Sequence, residues 1–276
     1  MEKISVVILN YLNYQDTIKC VNSIFRMDYA IKGIVIVDNN SNNKSAEKLK
    51  RLYGNKKNII IIRTKKNYGY AKGNNIGIEI ARKRFHTDFV FTVNNDVIFF
   101  QRDFFEKLMY NYHEGIGVIG PTVRIRDDII QGQFSTYVSL KECILIYIWW
   151  YLKNAGKLVW GSLLPARDVQ KQVPVLHGSA LLFTPDFFQY YKGFYSRTFL
   201  YNEEAILYMM CERHGLKQKY VEDAFIYHKE DQSSEMSFGN DRRIMTSYQF
   251  DSYKYVVWWS LKNKISELLS AIRKGK

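Results

Sequence analysis

Cysteine is scarce. Cys20, Cys143 and Cys211 are odd in number, far apart and free of any C-x-x-C spacing, which argues against a disulfide framework or a zinc-binding cluster and favours a reducing, cytoplasmic compartment. Long apolar runs are also missing. The longest, CILIYIWWYL at 143–152, is about half of the ~20 residues that a membrane-spanning helix needs. The opening MEKISVVILN has no long apolar region after a basic start and no small-residue cleavage pattern, so no secretory signal is expected. No internal repeat, low-complexity linker or recognisable nucleic-acid motif is present. Acidic charge is in deficit, with 27 Asp and Glu against 40 Lys and Arg. The resulting +13 favours anionic partners such as nucleotides, phosphorylated substrates, nucleic acid or an anionic membrane face.

What is present is an alternation of two periods. The runs at 4–9, 33–37, 58–63 and 88–93 are apolar on both faces, as buried parallel strands are. Between them, 16–26, 45–53 and 74–85 carry helical spacing. That order predicts an α/β fold, with a mostly parallel central sheet flanked by helices on both faces. A further helix is expected at 103–113 and a strand at 117–125. From 127 to 172 the period is lost, which suggests a partly helical excursion over the sheet. A strand at 173–185, a helix at 203–214 ended by Gly215, a strand at 218–228 and a helical, aromatic, basic tail at 241–276 complete the pattern.

Polar clusters follow the strands at their carboxyl ends: LNYLNY, DNNSNN, TKKNYGYAKGNN and NND. In a parallel sheet these ends share one edge, where open α/β sheets bind ligands. The first turn, NYLNYQD, contains no glycine, so neither the dinucleotide fingerprint nor the P-loop is present. Gly69, Gly73 and Gly77 follow the third strand at intervals of four, which suits a tight loop entering a closely packed helix. Asn94-Asn95-Asp96 reads as a turn or as a carboxylate offered at a strand end.

In order and spacing, SVVILNYLN, IVDNNSNN, NYGYAKGNNIGI, VNNDV, HGSALLF and FLYNEEAIL followed by YH resemble family 2 glycosyltransferases of the GT-A fold. The likeness is greatest to the rhamnosyl- and galactosyltransferase-type members that build bacterial surface polysaccharides such as capsule or O-antigen. It implies a catalytic domain over 1–235, with a nucleotide-binding half (1–100) and an acceptor half (101–235), followed by an amphipathic helical tail (236–276). By the resemblance, Asp96 ends a D-x-D-like motif and binds a divalent metal, Mg²⁺ or Mn²⁺, with His228 completing the site. Asn94 departs from the usual first aspartate, which favours a ribose contact there, and Asn95 lies at the turn. Asp38 is implied to read the nucleotide base. Asn10, Tyr11, Lys72 and Asn75 match further base- and ribose-side positions. Glu204 matches the general base, one methylene longer than the usual aspartate, and Glu203 would orient it or the acceptor.

The implied reaction is an inverting single displacement from a nucleotide-diphospho-sugar, with UDP or dTDP favoured, to a hydroxyl of a glycan or lipid-linked oligosaccharide. Trp258, Trp259, Leu261, Ile265, Leu268, Leu269 and Ile272 form an apolar face on the tail, with Lys262, Lys264, Arg273, Lys274 and Lys276 beside it. This pattern suits either packing on the core or a peripheral site at the inner face of the cell membrane. Two rivals compete. A nucleotidylyltransferase would carry a Gly-rich basic signature after the first strand, and LNYLNYQD lacks it. A non-enzymatic nucleic-acid or membrane-surface binder draws on the charge and on the 16% aromatic content, but the acidic motif positions oppose a polyanion.

Overall fold

The computed structural model describes residues 3–125, 129–130, 135–136, 140–154, 172–173, 175–229 and 242–274. The strands β1 (Ile4–Asn10), β2 (Gly33–Asp38), β3 (Ile59–Arg63) and β4 (Phe89–Asn94) alternate with helices α1 (Tyr14–Ile24), α2 (Ser45–Tyr53) and α3 (Gly69–Phe85). They pair in parallel in the order β3-β2-β1-β4. The β1 register sets Asn10 beside Asp38 and Leu9 beside Asn94, so the polar strand ends lie side by side. These strands are buried on both faces because successive side chains feed opposite cores. Ile4, Val6 and Ile8 pack with α1 and α2, whereas Val7 packs with α3.

Next come β5 (Val97–Ile98), α4 (Phe104–Tyr110), β6 (Ile116–Arg124), β7 (Ser135–Thr136) and α5 (Leu140–Asn154). The remaining elements are β8 (Gln172–Val173), β9 (Ala180–Phe183), α6 (Pro185–Tyr190), α7 (Glu203–Arg213), β10 (Lys217–His228) and α8 (Arg242–Lys274). The sheet continues as β4-β9-β6-β10-β5, with β9 antiparallel to both neighbours and β5 antiparallel to β10. The sheet is therefore mixed: its parallel half carries the first four strands, and antiparallel insertions join it to the second half.

Several boundaries differ from the sequence pattern. The strand expected at 173–185 contracts to β9: Thr184 and Pro185 open α6 at its carboxyl end, where the Thr184 hydroxyl accepts from the Phe187 N–H and proline at the first helical position loses no intrahelical bond, and Val173 at its amino end pairs in β8. Residues 175–179 become a loop, which proves central to the site. The helix expected at 74–85 starts at Gly69. Gly69 and Gly73, which precede the expected helix, therefore lie within it along with Gly77. A Cβ on Gly77 would come within 2.3 Å of Val7 Cγ1, and one on Gly73 within 2.7 Å of Leu9 Cδ1, so the glycines bring α3 close onto β1. The irregular 127–172 stretch contributes α5 and the short β7–β8 pair, and 155–171 lies outside the described residues.

α8 is not a detached tail. Ser252, Val256, Trp259 and Asn263, spaced by four, three and four, are buried, the spacing of one helix face. The Asn263 amide donates to the Met209 carbonyl at 2.9 Å, and the Ser252 hydroxyl to the Leu200 carbonyl at 2.7 Å. Beyond Asn263 the helix leaves the body, and Ile265, Leu268, Leu269 and Ile272 are exposed. Lys276 and the side chains of Arg273 and Lys274 lie outside the described residues.

Candidate active site

A cleft of about 270 Å³ opens at the carboxyl end of β1 and β4. Its walls come from Leu9 and Tyr11 after β1, from Asn94, Asn95 and Asp96 after β4, from the loop His177–Ser179, from the turn Phe199–Glu204 and from His228. Segments far apart in sequence thus meet at the strand-end edge.

Asp96 and His228 are brought together by register. β5 pairs antiparallel with β10 and sets His228 opposite Val97, so Asp96, one residue earlier, faces the imidazole. Asp96 Oδ1 lies 3.3 Å from His228 Nε2, and both side chains are buried. Two ligands at ~2.1 Å from one octahedral cation sit about 3 Å apart, so this spacing suits two donors to a single Mg²⁺- or Mn²⁺-sized ion. Asn94 Nδ2 lies 3.5 Å from the same Nε2. Among the described residues, no third His, Cys, Asp or Glu completes a cluster that could hold a metal. The pair would therefore supply two ligands to such an ion, with other positions left to water or to a substrate's phosphate oxygens, as Mg²⁺ sites commonly do.

The acidic pair stands at the start of α7. Tyr201 and Asn202 precede it with φ of 72° and 66°, and two consecutive non-glycine residues in the left-handed region carry strain of order 1–3 kcal/mol each. The turn is held down by α8, since the Asn202 amide donates to the Gln249 carbonyl at 3.2 Å. Glu204 Oε1 accepts the Gly178 N–H at 3.2 Å. A Cβ on Gly178 would fall 2.4 Å from that oxygen, so a larger residue there would displace the carboxylate from this position. The Tyr70 hydroxyl in turn donates to the Gly178 carbonyl. Glu203 is 5% exposed and its Oε1 has no hydrogen-bond partner among the described residues. Burial, and then the charge of Glu204, push the Glu203 carboxyl up to about 8. Burial also raises Glu204, against the pull of the Gly178 N–H. Two adjacent carboxyls that resist ionisation together form a site able to take up a proton near neutrality.

The remaining expected site residues divide between wall and scaffold. Tyr11 and Asn95 line the cleft with Asn94. Asn95 is more than a turn residue: its amide donates to the Asn13 carbonyl at 2.8 Å and to the Thr17 hydroxyl at 3.2 Å, tying the β4 end to α1. Asn10 and Asp38 are fully buried just beneath. Asp38 Oδ2 accepts the Asn10 amide at 2.7 Å and Oδ1 accepts the Ser41 N–H at 2.9 Å, so both carboxylate oxygens are engaged within the protein. Neither Asn10 nor Asp38 belongs to the cleft wall. Asn75 lies away from it as well, with both ends of its amide bonded to the Phe194 backbone at 2.8 Å. Lys72 is exposed on α3, its ammonium 4.7 Å from the Tyr68 ring centre. Conversely, His177, Gly178, Asn39, Asn67 and Tyr70 line the cleft without having been singled out as site residues. The HGS triplet just before an apolar run was the only signal for the first two.

The chain resembles known proteins in both sequence and fold. The chain is 23% identical over 252 residues, 90% of its own length and 72% of the other's, to a low-salt glycan biosynthesis hexosyltransferase of Haloferax volcanii. Its fold matches a Pyrobaculum calidifontis mannosyltransferase solved with GDP-Man and Mn²⁺, at a TM-score of 0.57 and 13% identity, covering 99% of this chain and 76% of that one. It also matches residues 1–349 of S. aureus TarS solved with UDP-GlcNAc, at a TM-score of 0.55 and 16% identity, covering 86% of this chain. The match spans 61% of the TarS fragment. These neighbours identify the architecture as the GT-A glycosyltransferase fold. Residues 5–161 match the family model described as glycosyl transferase family 2, and the chain belongs to that family.

Proposed function

We propose that the protein is an inverting glycosyltransferase that moves a sugar from a nucleotide-diphospho-sugar to a hydroxyl of a glycan or lipid-linked saccharide in surface polysaccharide synthesis. The observation that carries this reading is the shared cleft, with the Asp96–His228 pair on one wall and Glu204, pinned by Gly178, on another. Sugar transfer with inversion needs the leaving diphosphate and the attacking hydroxyl on opposite faces of the anomeric carbon, and two separate walls provide that. The acidic residues in the cleft also repel a nucleic-acid backbone, which weighs against the polyanion-binding rival.

Glu204 accepts the proton of the acceptor hydroxyl as its oxygen attacks, and burial raises its basicity toward the working pH. Gly178 N–H holds one carboxylate oxygen and leaves the other for the proton. Burial and the Glu204 charge raise Glu203 to about 8, so Glu203 stands as a neutral neighbour when Glu204 is ionised. Asp96 and His228 would hold Mg²⁺ or Mn²⁺, whose charge offsets that growing on the leaving diphosphate. Tyr11 and Asn94 supply the nucleotide side of the wall, with Asn10 and Asp38 shaping the floor beneath. A UDP or dTDP donor is the favoured class. No covalent glycosyl-enzyme is required.

The decisive test is Glu204→Gln. Transfer should fall ~10²–10⁴-fold, as expected for loss of a general base, while equilibrium binding of the donor stays within twofold. Near-wild-type turnover would remove Glu204 from the chemistry.

The turn that carries Glu204 is tied to α8 through Asn202 and Leu200, which would put the acceptor side near the α5–α8 pair. α5 exposes Ile144, Leu145, Ile148 and Tyr151, and α8 exposes Trp258, Leu261, Ile265, Leu268 and Ile272, five positions spaced by three, four, three and four. No helix among the described residues is long and apolar enough to cross a membrane. An apolar stripe beside lysines suits instead an anionic lipid surface that carries the acceptor.

A further inference from the structure

His177 stands between the two halves of the site. Its ring centre is 5.7 Å from that of His228, at an interplanar angle of 62°. The next residue, Gly178, donates its N–H to Glu204. His177 therefore occupies the junction between the metal-ligand pair and the base, where a bound donor would pass from diphosphate to sugar.

Its tautomer is set by the backbone. The Ser179 N–H donates to His177 Nδ1 at 3.2 Å, and the Ser179 hydroxyl lies 2.8 Å from the same nitrogen. A backbone amide can only donate, so Nδ1 must present its lone pair and the ring proton must reside on Nε2. Protonating Nδ1 as well would set that hydrogen against the amide hydrogen. With Nδ1 engaged and Nε2 carrying the proton, neither nitrogen offers the free lone pair that a metal ligand must supply.

We propose that His177 is a neutral, fixed hydrogen-bond donor to an oxygen of the nucleotide sugar at the diphosphate–sugar junction, and not a third metal ligand. This deepens the glycosyltransferase reading and rests on it. Two oxygens have the required chemistry: one on the terminal phosphate of the nucleotide, or a hydroxyl of the sugar. Either is a good acceptor for a single N–H held in place by a short loop.

The test measures Mn²⁺-supported binding of UDP and of UDP-glucose to the full chain, wild type, His177→Phe and His177→Gln. Phenylalanine keeps the ring and loses both nitrogens, whereas glutamine restores an N–H at similar reach. His177→Phe should weaken binding by roughly 10- to 100-fold, the usual size for a hydrogen bond to a charged or well-oriented acceptor, and His177→Gln should recover much of it. Equal loss for UDP and UDP-glucose identifies the phosphate oxygen; loss for UDP-glucose alone identifies a sugar hydroxyl. Mn²⁺ affinity at UDP concentrations that saturate each variant, followed by electron paramagnetic resonance, should be unchanged by His177→Phe. A fall in Mn²⁺ affinity would make His177 a ligand and overturn the assignment. Unaltered binding of both probes by a folded His177→Phe would also overturn it, leaving the glycosyltransferase reading intact. A wild type that binds neither probe with Mn²⁺ would sink the UDP-sugar reading and this assignment with it.

Discussion

At the residue scale, the site depends on two carboxyls that the fold makes reluctant to ionise. Glu203 has a direct consequence for stability. Its carboxyl is held up to about 8 in the folded chain against an ordinary value of 4.5, so the native state binds more protons than the unfolded state between those limits. Stability must therefore fall as pH rises from about 4.5 through 8. Glu203→Gln removes that dependence. Thermal unfolding from pH 5 to pH 9 should find the variant gaining on wild type as pH climbs, and parallel curves would show that Glu203 ionises normally. The two acids were legible in NEEAIL, but their environment was not. Gly178 pins Glu204 across 26 positions of sequence, a relation that no local pattern encodes. Asp38, Asn10 and Asn75 illustrate the opposite case: their side-chain types suit ligand binding, yet burial and internal partners engage them within the scaffold.

At the element scale, the glycines of α3 decide how closely a helix may approach the sheet. A Cβ on Gly77 would meet Val7 Cγ1 at 2.3 Å and Val37 Cγ2 at 3.1 Å. Both valines are fully buried and β-branched, so neither can rotate away cheaply. Gly77→Ala should cost about 1–3 kcal/mol in overpacking, reduced by up to ~1 kcal/mol of helix propensity. A chemical denaturation midpoint below wild type is the expected readout. Val7→Ala combined with Gly77→Ala should cost less than the sum of the two changes, because the second cavity accepts the first methyl; simple additivity would mean that the contact is absent. Four buried strands and their helices could be read from the sequence because period 2 and period 3.6 leave distinct traces in apolar spacing. The α3 start escaped because a helix whose first turns carry Gly69 and Gly73 looks locally like a loop. β9 was overextended because an apolar run does not say where pairing stops, and here Thr184 and Pro185 stop it.

At the scale of the whole molecule, an excess of basic over acidic residues of +13 coexists with an acidic cleft. Among the described residues, no lysine or arginine lines the cleft, and we propose that the projecting end of α8, with its exposed apolar stripe, meets an anionic lipid surface. Ile272 is 62% exposed and Leu268 55%, whereas Trp259 in the same helix is 4% exposed. Lys262 covers Trp258 and Trp259 at 4.7 and 4.8 Å from their ring centres. A chain ending at residue 263 keeps the buried face of α8 and loses only the projecting turns. The full chain should float with phosphatidylglycerol vesicles at low salt and detach as salt screens the attraction, while the shortened chain should stay behind. Equal flotation of both would assign the stripe to something other than lipid.

By itself, the sequence determined the alternation of strand and helix, the edge on which the polar strand ends gather, and the candidates for metal and base. These follow from local side-chain periodicity and from motif order, which survive in one dimension. Only the tertiary structure decided which polar residues face the cleft and which are consumed beneath it. The reason is that Asp96 meets His228 through an antiparallel register, Glu204 meets Gly178 through helix docking, and His177 acquires its tautomer from the loop that carries it. Each is a contact between segments, or a hydrogen-bond direction, and neither is written in spacing along the chain.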